Sequence, residues 1–201
     1  MRQLADILRD FRDDQEGSMA IELVLVVPIL VWALLSTFVY FDLYRVESNS
    51  TRAGLTIADM FSREESAITP AYLDGTLGLL RTLTFEETNP DYRVTAYYYD
   101  GDDDRYRVIW SENRGMAPNL TNADLDQLDT LERLPLLSDG GRAILVQTRT
   151  EYDAPFSIGL GPFTSANLED VTFQTFTVIR PRPGRLCYDA LPNDPSNAPL
   201  C

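Results

Sequence analysis

The sequence predicts an α+β protein: a long N-terminal membrane-spanning helix, then a small domain with an antiparallel sheet of about four strands and short covering helices. Three observations predict it. An uncharged run of about 19 residues, Leu23 to Phe41, lies close to the N-terminus. Apolar residues then continue at spacings of three and four as far as Met60. From Tyr92 onward the texture changes to alternating aromatic and β-branched residues punctuated by turn signals. Helical periodicity followed by strand periodicity, with no regular alternation of the two, is the pattern of α+β architecture.

The first element begins after a polar leader in which Arg2, Arg9 and Arg12 face Asp6, Asp10, Asp13, Asp14 and Glu16. A helix rises about 1.5 Å per residue, so the run from Leu23 to Phe41 matches a hydrocarbon core of about 30 Å. Trp32 and Tyr40, with Tyr44 just beyond, are of the amphipathic type that settles near membrane interfaces. A cleaved secretory signal would need a basic flank, a shorter apolar core and a small-x-small site after it. The leader has more acids than arginines, and Asp42-Leu43-Tyr44-Arg45 follows the run, so that alternative fits poorly. Three arginines before the run against Arg45 and Arg52 after it favour an N-terminus on the cytoplasmic side.

Glu22 is the unexpected residue. A carboxylate at the head of a membrane helix costs several kcal/mol unless it is paired or solvated at the headgroups. Cleavage after Gly17 would make Ser18 the first residue and Glu22 the fifth. A free α-amino group and an acid would then lie one helical turn apart. In a helical assembly the carboxylate of one subunit can neutralise the amine of its neighbour.

With no proline between positions 29 and 69, one helix is expected from about Ser18 to Phe61, with Pro28 inside it. Beyond the apolar run its buried stripe should be Leu43, Val46, Ser50, Ala53, Ile57 and Met60. Thr69 as N-cap and Pro70 at the first position open a second helix, whose apolar face is Tyr72, Leu73, Leu77, Leu80 and Leu83. Residues 93–99 and 105–110 flank Asp100-Gly101 and three further acids, and read as a hairpin with an Asp-Gly turn. Thr121 and Asp124 form a capping-box pattern for a short helix through about Arg133. Strands are expected over 143–152 and 171–180, and Pro181-Arg182-Pro183-Gly184 ends the last one. Cys187 and Cys201 bracket a loop rich in Pro, Asn and Asp. A disulfide closing that tail is the expected reading, two unrelated free thiols being the alternative. A disulfide places this end of the chain in an oxidising compartment.

Composition narrows the chemistry. The 201 residues carry a formal net charge of −14, no His, and only Arg among the basic residues. An acidic surface disfavours nucleic acid as a partner. Without His or Lys there is no common general base, no imidazole ligand and no Schiff-base amine. No spacing singles out a carboxylate pair, so neither an enzyme nor a cofactor or small-molecule substrate is expected. Two cysteines are too few for a zinc site. The acids at 102–104 lack the twelve-residue spacing of an EF-hand, so they read as a solvated turn and no metal is expected.

The stretch Gly17-Ser18-Met19-Ala20-Ile21-Glu22, followed six residues after the acid by Pro28, resembles the processing signal of type IV prepilins. It is closer still to the TadE-like family, the minor pilins or pseudopilins of tight-adherence (Tad/Flp) pili. In that family the pattern G-x-x-A-[VI]-E with a proline six residues on is typical, and Ala20, Ile21, Glu22 and Pro28 match it. Phe41-Asp42-Leu43-Tyr44, with Asn49 and Ala53, is similar to the family's post-membrane helix. The match covers roughly residues 9–60. Its leader is slightly acidic where type IV prepilin leaders are usually basic, and Ser18 stands where major pilins carry an aromatic residue.

The resemblance implies a leader at 1–17 removed by a prepilin peptidase, a transmembrane helix at 18–41 and a periplasmic extension at 42–61. A globular domain at 62–186 and a tail at 187–201 complete the layout. It further implies Ala20, Ile21, Glu22 and Pro28 as helix-assembly residues, and an inner-membrane location with incorporation into an extracellular adhesion pilus. The lipid bilayer, other pilin-like subunits and the Tad secretion machinery are the implied partners. The competing reading is a single-pass anchored binding or adhesin module that does not polymerise. The D-x-S-x-S metal motif of von Willebrand A-type domains, found in larger Tad pilins, does not occur.

Overall fold

The computed structural model describes residues 16–84, 90–155, 170–194 and 197–201, the side chains of 16–20 and 170 excepted. Helix α1 spans Glu16–Arg63 and helix α2 Pro70–Thr84. Strands β1 (Asp91–Asp100) and β2 (Arg105–Arg114) form a hairpin, helix α3 covers Asn122–Thr130, and β3 (Arg142–Asp153) and β4 (Asp170–Ile179) follow. The strands make one antiparallel sheet in the order β2-β1-β3-β4. The chain divides into two compact units. One contains α1 up to Asp42; the other is Leu43–Asp153 with Asp170–Cys201.

The second unit is built around the last 21 residues of α1. The predicted stripe is the one it buries: Val46, Ser50, Ala53 and Ile57 are buried, and Leu43 and Met60 half-buried. Ala58, Phe61 and Ser62 widen it. Ala53, Ile57, Ala58 and Phe61 join Val94, Ala96, Trp110, Ile144 and Val146 in a core on one face of the sheet, with Met60 packed against it. Phe61 packs against Tyr72 of α2 and Tyr92 of β1, with ring centroids 5.7 and 6.5 Å away. Close approach of helix to sheet is set at Gly54, where a Cβ would fall 2.6 Å from Thr175 Oγ1. Thr175 shares a 2.6 Å hydrogen bond with Thr148, and Ser50 shares one of 3.2 Å with Thr150. The helix therefore rests on a buried hydroxyl seam, with each of these polar groups satisfied.

Helix α2 starts as predicted, with the Tyr72 amide donating to Thr69 Oγ1 at 3.3 Å. Its buried residues are Leu73, Thr76, Leu80 and Thr84. The two threonines escape an apolar count, but each donates to a carbonyl four residues back and so costs nothing unsatisfied. Tyr92 OH donates to Leu73 O at 2.7 Å, tying β1 to α2. Burial pushes this phenol well above its ordinary value, against the opposing pull of Arg114.

A bulge lets the sheet feed two cores. Ala96 pairs with Trp110 and Tyr97 with Val108, which leaves Ile109 as the extra residue. Side chains alternate faces along a strand, so without it Trp110 and Val108 would share a face. Instead Trp110 enters the α1 side, while Val108 joins Tyr97, Tyr106, Leu125 and Leu145 beneath α3 and the 131–141 loop.

Two local expectations change. The hairpin forms with a connection one residue shorter than the expected 100–104: Asp100 pairs with Arg105, residues 101–104 form the loop, and Asp104 is the left-handed residue at φ 53°. Gly101 has a different reason, because a Cβ there would meet Asp139 Oδ1 at 2.8 Å, the same oxygen that accepts from the Gly101 amide. Helix α3 opens with the Thr121 amide and hydroxyl both donating to Asp124, which holds that carboxyl below its usual range. It stops at Thr130, short of Arg133, because Glu132 turns left-handed at φ 52° and Pro135 follows.

The contrast between two helical glycines tests the seam. Gly54→Ala should lower stability by about 1–2 kcal/mol, since about 1 kcal/mol of helix propensity is outweighed by overpacking against Thr175. Gly78→Ala, with nothing within 4 Å of a new Cβ, should gain about 1 kcal/mol. Denaturant midpoints of the detergent-solubilised chain read both, and equal gains at the two sites would refute the close seat.

Candidate functional site

The residues singled out from sequence lie on the first turns of α1. Gly17, Ser18, Ala20, Ile21, Glu22 and Pro28 are all helical, and the helix continues through Pro28 without interruption. Ser18 and Glu22 are four residues apart, so they share one helix face at about 6 Å of rise. Ile21, Glu22 and Pro28 are exposed. The leader residues at 1–15, including its three arginines, lie outside the described residues.

From Ile21 to Phe41 the helix presents apolar side chains on nearly every side. Ile21, Leu23, Val24, Ile29, Leu34 and Phe41 are each more than 60% exposed, and Val39 is the fully buried exception. A soluble amphipathic helix exposes a polar face; one that is apolar all round needs a buried or lipid setting. One helix among the described residues is thus long and apolar enough to cross a membrane. On that helix Trp32 falls near the middle of the uncharged run, about nine residues from either end. Only Tyr40 and Tyr44 stand where an aromatic would meet a headgroup layer at its far end.

The second predicted pair is formed. Cys187 and Cys201 are joined by a disulfide, with Cα atoms 4.4 Å apart. The bond closes a tail that is woven into the core. The Ile68 amide donates to Cys187 O and the Asp189 amide to Ile68 O, both at 2.8 Å, while Tyr188 pairs with Leu200. Trp110 Nε1 donates to Leu186 O at 2.9 Å, and its ring lies 5.4 Å from that of Tyr188. Arg142 donates to Cys201 O at 2.7 Å. Sequence reasoning missed this anchoring; the aromatic Tyr188 beside the first cysteine was the available signal.

Three of the four acids at the β-hairpin turn are engaged by the protein itself. Asp103 pairs with Arg107, Asp104 accepts from Tyr99 OH, and Asp100 accepts from the Asp102 amide. Among the described residues no three His, Cys, Asp or Glu side chains gather as a metal site. No family model, curated protein or solved structure matches the chain.

The tail's role is measurable. Closing a loop with a sequence separation of 14 is worth about 3 kcal/mol in the chain-entropy account. Cys201→Ser should lose about that much stability and release Trp110 from Leu186 and Tyr188. In a Trp32→Phe background this appears as a red-shifted tryptophan emission. An unchanged spectrum with unchanged stability would show the tail to be dispensable.

Proposed function

We propose that this chain is a minor pilin or pseudopilin that takes part in assembling, initiating or capping a tight-adherence pilus. It is held in the cytoplasmic membrane as a single-pass protein, with its C-terminal domain on the outer side. One observation carries the reading: Gly17, Glu22 and Pro28 stand at the family spacing on the head of a single 48-residue helix that stays uncharged from Leu23 to Phe41. A general anchor needs only the apolar length. An acid five residues after a glycine, at the cost of its desolvation, is explained by a new amino terminus that it can neutralise in a neighbouring subunit. The disulfide supports the orientation, since it belongs to an oxidising compartment while the processing bond would face the cytoplasm. A prepilin peptidase, other pilin-like subunits and a Tad secretion machinery are the partners this reading requires.

Processing separates it from an anchored module that does not polymerise. Intact mass of the membrane-extracted protein should give Ser18 as the first residue in cells with a prepilin peptidase and Met1 in cells without one. A Met1 terminus in both would sink the pilin reading. Glu22→Ala should still be cleaved yet be depleted from sheared pilus fractions, because a neighbour's amine is left without its carboxylate. Wild-type incorporation of that variant would show the charge-pairing account to be wrong.

A further inference from the structure

The face of the sheet turned away from α1 is apolar over only part of its area. Helix α3 and the 131–141 loop lie over Tyr97, Val108 and Leu145. Further along the strands the same face turns polar. Asn113, Arg93, Gln147 and Phe176 stand in one row across β2, β1, β3 and β4, each directly opposite the next. Arg93 Nε and Nη2 both donate to Gln147 Oε1, at 3.0 and 2.7 Å, and Nη1 donates to Pro118 O at 2.5 Å. Both acceptors are neutral. At the far end of the row the Arg133 guanidinium lies 4.4 Å from the centroid of the Phe176 ring. Among the described residues neither arginine is in an ion pair. Asp124 is within electrostatic reach of Arg93, but its Oδ2 is taken by the Thr121 amide and hydroxyl.

A half-buried charge held only by neutral groups is uncommon, because a counter-charge ordinarily offsets the desolvation. Burial draws the Arg93 pKa below the ordinary guanidinium value, with Asp124 opposing from a distance. A strut between Gln147 and Pro118 alone could be neutral. Three of the five N–H donors of Arg93 are used, and the two that remain are one on each Nη. Together they make the parallel fork that a carboxylate takes with both oxygens. We propose that this row is a docking surface for an acidic, extended segment of a partner protein, with one carboxylate at Arg93 and a second at Arg133. Neighbouring strands are about 5 Å apart, so Arg93 and the ring beneath Arg133 are separated by about 10 Å, which three residues of extended chain span. Asn113 Nδ2 donates to Asn119 Oδ1 at 2.6 Å, which leaves an amide oxygen on the first and N–H donors on the second. An acceptor and a donor side by side answer a peptide group. The net charge of −14 repels anions in general, so an acidic segment is held by this local geometry and not by the overall field.

The test uses the full chain in a nonionic detergent, with a hexaglutamate peptide as the probe and titration calorimetry as the readout. At an ionic strength of about 0.15 M the Debye length is about 8 Å, which screens the rest of the acidic surface more than a half-buried site. Hexaglutamate should bind and hexaglutamine should not. Arg93→Gln and Arg133→Gln should each weaken binding about tenfold. Arg63→Gln, beside Asp59 at the end of α1, should leave it unchanged. Arg133 is exposed, so its variant reads the site even where Arg93→Gln disturbs the loop at Pro118. No binding by the unmodified chain, undiminished binding by both glutamine variants, or an equal loss in Arg63→Gln would each overturn the assignment. Binding of oligogalacturonate in place of hexaglutamate would also overturn it, by giving the face to an anionic polysaccharide.

Discussion

The seat of α1 on the sheet governs the rest of the folded unit. At Gly54 the helix backbone comes within a missing Cβ of Thr175, and around that point Ser50, Thr148 and Thr150 are buried with their hydroxyls paired across elements. Such a seam gives less transfer free energy than aliphatic packing, but directional bonds between fixed partners specify one register and one depth. Everything else on that face is placed by it. Phe61 reaches Tyr92 and Tyr72 only because the helix lies this close, and α2 is then tied down through Tyr92 OH to Leu73 O. Arg182, beyond β4, donates through its amide to Ser62 O and so binds the last strand's exit to the same helix.

Parts of this were open to sequence reasoning because they depend on local spacing. The helix from about Ser18 to Phe61 followed from an uncharged run joined to a stripe of spacing three and four, and the observed Glu16–Arg63 differs by two residues at each end. The Thr69-Pro70 start and the four strands followed in the same way. The threonine seam did not, because Thr148, Thr150 and Thr175 become core residues only through partners far along the chain. Nor did the bulge at Ile109, which is a mismatch between two strands and has no signature in either alone. The helix α3 boundary was set by a left-handed Glu132 that propensity does not foresee. The amino-terminal segment shows the reverse case. Spacing singled out its residues and the fold places them on a helix, but the chemistry proposed for Ser18 and Glu22 is between chains, so a single chain does not display it.

Part of the charge in the folded unit is used for structure. With no His or Lys, its charged side chains are carboxylates and guanidinium groups, and several of the arginines are held: Arg149 by Asp91, Arg114 by Asp74, Arg93 by Gln147, Arg63 and Arg182 by Asp59. Exposed pairs of this kind add little stability each.

Anchored as proposed, the folded unit meets its neighbours in two dimensions, which changes what a small surface can do. Two chains of net charge −14 repel at a distance, so a small contact between them is weak in solution. Anchored copies meet in two dimensions in a common orientation, which raises their effective concentration and removes much of the entropic cost of association. A contact too weak to persist in solution becomes one that forms and dissolves readily at the bilayer.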